Sequence, residues 1–281
     1  MNTTLDAEIE VTDADVAEYR ERGYWISPKL LSDDEIARLR DEVMRVVRGE
    51  RDHGSPCWLH PHHYDPNSKA IVQMCNGWWI NEAIREIVLS PKIGRIGARL
   101  MGTDEVRLWH DQVLYKPGSG SREEKSGNVG WHQDYGHWQC ASTQNMCTAW
   151  IALQDTDLGN GGMRTIVGSH KWGLSEDSYT FGEKDLEGLR KRFEREGQPW
   201  IDEPCVLKAG QASFHHSLTF HGSGPNLSDQ PRLSIVVHMM PADCAYRNHR
   251  QYHPNAALLG PGAREGDLYA GKFFPTIWKK G

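Results

Sequence analysis

Arg232-Leu233-Ser234-Ile235-Val236-Val237-His238-Met239 reads with a period of two, which sets Arg232, Ser234, Val236 and His238 on one face of a strand and Leu233, Ile235, Val237 and Met239 on the other. The turn composition of Gly222-Ser223-Gly224-Pro225-Asn226 precedes it, and 218–221 and 212–215 read as further short strands. The same β-like character runs through 106–115, 130–134, 147–153, 163–166 and 203–207, with breaks at 117–128 (PGSGSREEKSGN) and at Gly159-Asn160-Gly161-Gly162. Many short strands separated by turns, with no βαβ alternation, favour a barrel or jelly roll over a Rossmann-like sheet. One helical insertion at about 185–196, with Leu186, Leu189 and Phe193 on one face, interrupts the series.

Upstream of this region the pattern is helical. Ser32-Asp33-Asp34-Glu35 has the capping-box form, and Ile36, Leu39, Val43, Val46 and Val47 follow at helical spacing to about residue 48. Shorter helices are expected at 13–22, stopped by Gly23, at 81–88, and at 91–100, with Pro91 in the first turn and Gly102 at the stop. Residues 51–80 read as loop and 1–12 as a loose tail. The chain of 281 residues is expected to form a single domain over 1–281: a helical lead-in at about 13–101, a β core at about 106–240 and a C-terminal loop segment at 241–281.

Composition narrows the function. A chain of this length buries about 75% of its unfolded surface and needs no disulfide support, and its six cysteines show neither C-x-x-C pairs nor regular spacing. Reduced thiols and a cytoplasmic location are expected. The net charge of −6 offers no footprint for nucleic acid or an anionic membrane, and no run approaches the ~18 apolar residues of a span. Eleven tryptophans and fourteen histidines are a heavy load, suited to a pocket as well as to a core.

Within Trp131-His132-Gln133-Asp134 the histidine and aspartate are two apart, so a strand would present both to one metal. A lone H-x-D is weak, since about one such triplet is expected by chance in a chain so rich in histidine. His221, ending an apolar run before a Gly-rich turn, supplies a second imidazole. Two histidines and a carboxylate form the facial triad of non-haem Fe(II) oxygenases, and zinc hydrolases use the same ligand types. A cation placed to hold a dicarboxylate co-substrate would separate the two, and Arg232, inward-facing by the period-two reading, fits that role; a structural salt bridge is the plainer use of such a residue.

The order His132-Gln133-Asp134, Ala149-Trp150-Ile151-Ala152-Leu153, Asn160-Gly161-Gly162, Gly168-Ser169-His170, His221-Gly222-Ser223-Gly224-Pro225-Asn226 and Arg232 resembles the phytanoyl-CoA dioxygenase family of Fe(II)/2-oxoglutarate oxygenases. Tyr19-Arg20-Glu21-Arg22-Gly23-Tyr24 and Leu30-Leu31-Ser32-Asp33-Asp34-Glu35 look like that family's helical lead-in. The resemblance implies a mainly β fold, a double-stranded β-helix (jelly roll, cupin-like) core with N-terminal and flanking α-helices. It implies Fe(II) on His132, Asp134 and His221, 2-oxoglutarate as co-substrate with its distal carboxylate on Arg232, O₂, and decarboxylation to succinate and CO₂. By positional match Gln112, Trp150 and Ser223 would line the co-substrate pocket, although Trp150 also suits a core. Halogenating relatives carry a small residue at the position of Asp134, so halogenation is disfavoured.

His137 and Trp138, close beyond Asp134, and Trp78 and Trp79 are candidate substrate residues, with packing as the competing role for each. His60, His62 and His63 lack a carboxylate or thiolate at ligand spacing and read as solvated or cleft-lining. His215 and His216 face opposite sides of a strand and cannot both join the metal. Residues 117–128 suit a lid, or an idle surface loop. The expected activity is hydroxylation, or another oxidation, of an unactivated C–H bond in a small-molecule substrate. The rivals are a non-catalytic jelly-roll ligand-binding protein and a zinc hydrolase on the same ligands. Neither the substrate nor the oligomeric state is written in the loops.

Overall fold

A computed structural model describes residues 9–57, 70–120 and 127–281. Helix α1 (Asp13–Arg22) and, beyond strand β1 (Tyr24–Ile26), helix α2 (Asp33–Val47) both open with reciprocal capping boxes, Thr12 with Asp15 and Ser32 with Glu35. α2 buries Ile36, Leu39, Val43, Val46 and Val47, the stripe expected from spacing. Strand β2 (Val72–Cys75) and a 3-10 turn (Gly77–Trp79) precede α3 (Glu82–Val88) and α4 (Pro91–Met101), which ends at Gly102 in the left-handed region.

The β region begins with β3 (Glu105–Lys116) and β4 (Val129–His132), which runs into the short helix α5 (Asp134–His137). Then come β5 (Cys147–Ala152), β6 (Met163–Ile166), α6 (Leu186–Phe193), β7 (Asp202–Pro204), β8 (Ala212–His216), β9 (His221–Ser223), β10 (Arg232–Pro241) and β11 (Thr276–Lys279). Two antiparallel sheets result among the described residues. The larger runs β1-β8-β5-β10-β3-β11, with β2 on the same edge of β3 as β11, and the smaller runs β4-β9-β6-β7.

The alternation in β10 decides how these layers pack. Leu233, Ile235, Val237 and Met239 join Cys147, Ala149 and Ile151 of β5 in the core shared with the helices, whereas Val236, Trp150 and Ala152 pack on the opposite face. Each such aliphatic side chain contributes about 1.5–3 kcal/mol when fully buried, which is why the helices cover that face of the large sheet. α4 approaches so closely that a Cβ on Gly97 would lie 2.7 Å from Met239 Sδ. The other face of the large sheet looks toward the small sheet, and a cavity lies between them.

The two sheets form the expected jelly roll, with no closed barrel among the described residues. Several other expectations are corrected. The ligand segment is not one strand over 130–134: β4 stops at His132, and Asp134 begins a helical turn. The strand expected at 218–221 lies instead at His221–Ser223, because Leu218 and Phe220 serve two different apolar clusters rather than one face. The strand expected at 203–207 is confined to Asp202–Pro204, where the missing N–H of Pro204 suits an edge. Residues 51–80, read as loop, include β2, and the terminal loop segment includes β11. The apolar periodicity of three- and four-residue edge strands is too short to be read.

Candidate metal and co-substrate site

His132 and His221 are direct partners across the β4–β9 ladder, and their rings lie 4.1 Å apart between centroids. Each donates its Nδ1–H to a backbone carbonyl two residues earlier, His132 to Gly130 at 2.8 Å and His221 to Thr219 at 2.9 Å. That fixes the tautomer and leaves each Nε2 with a lone pair for a metal. Asp134 Oδ1 lies 3.7 Å from His132 Nε2 and 3.6 Å from His221 Nε2, and the three donor atoms fall within 4.8 Å of one another. The donor set and its convergence fit a divalent iron ion.

The intervening Gln133 explains how a strand turns into a helix here. Its buried amide donates to Leu218 O at 2.7 Å and Gly173 O at 2.9 Å and accepts from Ser175 N at 2.8 Å, anchoring the chain where it leaves the ladder. Asp134 then swings back toward the histidines. Thr148 donates its hydroxyl to Asp134 Oδ2 at 2.7 Å and His215 Nε2 lies 3.4 Å from the same oxygen, so Oδ1 is the one left facing the two ligand histidines. Burial pushes the Asp134 carboxyl up, but His221, His132, His215 and His238 outweigh it and hold it well below the usual range. Burial is also the main reason that His221 stays neutral well below its ordinary range, as a metal ligand must.

The Thr148 proton is committed to Asp134, so Thr148 Oγ1 is an acceptor for its other neighbour, His238 Nδ1, at 2.9 Å. His238 therefore carries its proton on Nδ1 and presents an unprotonated Nε2, which is buried without a partner. Burial, with His110 next in weight, keeps this imidazole neutral. His253 has the opposite polarity: Asn255 N–H donates to its Nδ1 at 3.2 Å, so its proton sits on Nε2.

The triad opens into a cavity of about 400 Å³ lined from both sheets. At one end Arg232 is buried with its guanidinium 4.9 Å from the Trp150 ring centroid. Among the described residues its only side-chain hydrogen bond is from Nη1 to Ser234 Oγ at 3.2 Å, its Nε is buried without a partner, and no carboxylate pairs with it. Burial lowers it to about 10, still a cation at neutral pH. An unpaired buried guanidinium fits an anionic ligand.

Gln112, Trp150 and Ser223 line this cavity, as do His137 and Trp138. Trp78 and Trp79 are not brought to it: both pack in the core beneath the helices, Trp78 under Arg85 and Trp79 against Phe273. His60, His62 and His63 lie outside the described residues, as do 121–126, the middle of the expected lid. Sequence reasoning missed Thr148, His215, His238 and His253 as lining residues. For His238 a signal existed, since it shares the period-two face of Arg232. His253 has none, because a 3-10 turn (Pro254–Leu259) in the C-terminal segment brings it in.

The family model for phytanoyl-CoA dioxygenase (PhyH) matches residues 19–234. The peroxisomal phytanoyl-CoA dioxygenase of Rattus norvegicus is 26% identical over 236 residues, 81% of this chain and 68% of that protein. Among solved structures, the non-haem α-ketoglutarate-dependent epimerase SnoN from nogalamycin biosynthesis is 26% identical with a TM-score of 0.73, over 95% of this chain and 98% of that one. The carbocyclase SnoK from the same biosynthesis is 25% identical with a TM-score of 0.71, over 98% of this chain and 99% of that one. No helix among the described residues is long and apolar enough to cross a membrane.

Proposed function

Because the chain belongs to the phytanoyl-CoA dioxygenase (PhyH) family and is an Fe(II)/2-oxoglutarate-dependent oxygenase, we propose that it hydroxylates an unactivated C–H bond of a neutral, hydroxyl-bearing small molecule. The balance is one C–H bond, O₂ and 2-oxoglutarate consumed, with a C–OH bond, succinate and CO₂ formed. The observation that carries this reading is that the His132–Asp134–His221 triad and the unpaired Arg232 share one cavity. Family membership sets aside the zinc-hydrolase and binding-protein readings.

His132, Asp134 and His221 would hold the iron, which supplies the activation of O₂ when bound. Arg232 would take the distal carboxylate of 2-oxoglutarate in its planar fork, with Trp150 as a lid over the guanidinium and Gln112 and Ser223 beside it. Thr148 and His215 hold Asp134 in orientation. Trp138, Phe181 and Val236 supply apolar wall that keeps water from the reacting carbon.

The neutrality of the substrate follows from the lining. Apart from Asp134 and Arg232, no Asp, Glu, Lys or Arg among the described residues lines the cavity, so a buried charge on the substrate would meet no counter-ion, a cost of several kcal/mol. The bare Nε2 of His238 accepts a hydrogen bond, which calls for a substrate O–H or N–H. A second outcome, oxidation ending in stereochemical inversion or ring closure, is favoured by the near full-length similarity to SnoN and SnoK.

Anaerobic titration with Fe(II) and 2-oxoglutarate, followed by the visible charge-transfer band of the chelate, tests the site. The band is expected in wild type and weakened in His132→Ala and Arg232→Ala. Its absence in wild type would refute the co-substrate assignment, and substrate-dependent release of succinate without a hydroxylated product would favour the second outcome.

A further inference from the structure

We infer that His253 and His238 form a donor–acceptor pair that reads one hydroxyl group of the substrate: His253 donates its Nε2–H to the hydroxyl oxygen, and the hydroxyl donates its own proton to the bare Nε2 of His238. The inference rests on the reading of this cavity as the oxygenase site and narrows its substrate to a neutral alcohol, against the ether and the ketone of the same skeleton. Both imidazoles line the cavity. They come from distant parts of the chain, His238 from β10 and His253 from the start of the 3-10 turn Pro254–Leu259, and both pack on His110. The His110 ring centroid lies 4.3 Å from that of His238 and 4.6 Å from that of His253, stacked on the latter at 18°.

Hydrogen-bond geometry sets the two rings in opposite polarity. His253 Nδ1 accepts from Asn255 N at 3.2 Å, and an accepting nitrogen carries no proton, so this imidazole is neutral with its one N–H at Nε2. No acceptor for that N–H occurs among the hydrogen bonds of the described residues. His238 has the reverse arrangement through Thr148, and its Nε2 is buried without a partner. A buried polar atom left unmatched costs about 1–3 kcal/mol, which favours a ligand group that satisfies both nitrogens at once. A hydroxyl has a proton to give and lone pairs to accept with. An ether or carbonyl oxygen only accepts and leaves His238 unmatched, whereas an ammonium only donates and leaves His253 unmatched.

The turn that delivers His253 is fastened by buried amides. Asn255 and Asn76, both buried, exchange side-chain hydrogen bonds at 3.1 Å in each direction, and the second Asn255 amide proton goes to Trp109 O at 3.4 Å. His253 caps the turn with its ring 5.4 Å from that of Trp109. Amides matched in this way fix the turn, and with it the direction of the His253 N–H, before any ligand arrives. Beside the pair, Trp138 stands edge-on to His238 with centroids 4.7 Å apart, so the carbon skeleton next to the hydroxyl meets an apolar wall.

Benzyl alcohol, benzyl methyl ether and toluene share one neutral ring and offer the pair a donor with an acceptor, an acceptor alone, and neither. Each is titrated into the full chain loaded with Zn(II) and 2-oxoglutarate and ¹⁵N-labelled at histidine, with affinities read from the shifts of the cavity imidazoles. Wild type is expected to bind the alcohol about tenfold or more tighter than the ether. His253→Phe, which keeps a ring on His110 and Trp109, is expected to loosen alcohol and ether about tenfold and to leave toluene unchanged. His238→Phe is expected to erase the advantage of the alcohol over the ether. Three results would overturn the inference: equal binding of alcohol and ether by wild type, loosening of toluene as great as that of the alcohol in His253→Phe, which would make His253 a packing residue, or no binding of any probe. Wild type that takes up no 2-oxoglutarate at the loading step would instead refute the reading of the site, and this inference with it.

If His253→Phe does not fold, the wild-type spectra decide alone. Benzyl alcohol is expected to shift both the protonated Nε2 of His253 and the bare Nε2 of His238, and the ether only the former. A proton found on His253 Nδ1, or the same response of His238 to alcohol and ether, would overturn the inference.

Discussion

Thr148 donates its hydroxyl to Asp134 Oδ2 at 2.7 Å, from the strand next to β10 in the large sheet to the helical turn that follows β4 of the small one. Oδ1 is thereby left for the metal. Outer hydrogen bonds of this kind orient a ligand, and their loss costs 10–100-fold in affinity. Thr148→Val, close in shape, is expected to weaken Fe(II) binding by about that factor, while Thr148→Ser retains it. Competition against a metallochromic chelator measures both. Equal affinity in the three proteins would show that the carboxylate needs no such support.

The same hydroxyl fixes the polarity of His238. With Thr148 Oγ1 accepting at 2.9 Å, the proton belongs on Nδ1 and Nε2 is bare. Long-range ¹H–¹⁵N spectra of the Zn(II)-loaded protein are expected to show this tautomer in wild type and a loss of the preference in Thr148→Val. His238→Phe is expected to hold Fe(II) and 2-oxoglutarate affinities within about twofold and to abolish the rise in succinate release that substrate provokes. Wild-type spectra with the proton on Nε2 would reverse the sign of the hydrogen bond offered to substrate.

Arg232 predicts an opposition between stability and function. A buried guanidinium with no anionic partner, beside Lys116, is a burden on the ligand-free protein. Arg232→Met is expected to raise the stability of that state by about 1–2 kcal/mol and to eliminate the added stability that 2-oxoglutarate gives wild type. Urea denaturation with and without the acid measures both. A destabilised variant that is still protected by 2-oxoglutarate would place the anion elsewhere.

Legibility followed the range of the physics. The alternation in β10 is local covalent geometry, so Arg232 and His238 could be set on one face from sequence alone. His132 and Asp134 were legible as a pair for a reason that the fold replaces: strand alternation does not bring them together, and a turn pinned by Gln133 does. The tryptophans Trp78 and Trp79 carry apolar bulk that suits a core and a pocket equally, and only the packing of the helices decides between them. β1, β2 and β11 are edge additions whose pairing depends on distant strands, and His253 reaches the cavity by packing against Trp109, with ring centroids 5.4 Å apart.

Asp111 sets a pH dependence away from the ligands. It is fully buried on β3, where its carboxyl accepts from Gly77 N at 3.1 Å and Trp78 N at 3.4 Å. Burial outweighs these hydrogen bonds and pushes the carboxyl up to about 7 from 3.8. The folded state then holds a proton that the unfolded chain has released, so the contribution to stability is full below about pH 4, falls as pH rises toward 7 and levels off above it. Asp111→Asn keeps an oxygen for one backbone donor and cannot ionise. It is expected to flatten the decline in unfolding free energy between pH 5 and 8, which amounts to a few kcal/mol in wild type. Parallel urea titrations at pH 5, 6, 7 and 8 measure the two slopes, and identical slopes would mean that Asp111 is ionised in the folded protein throughout.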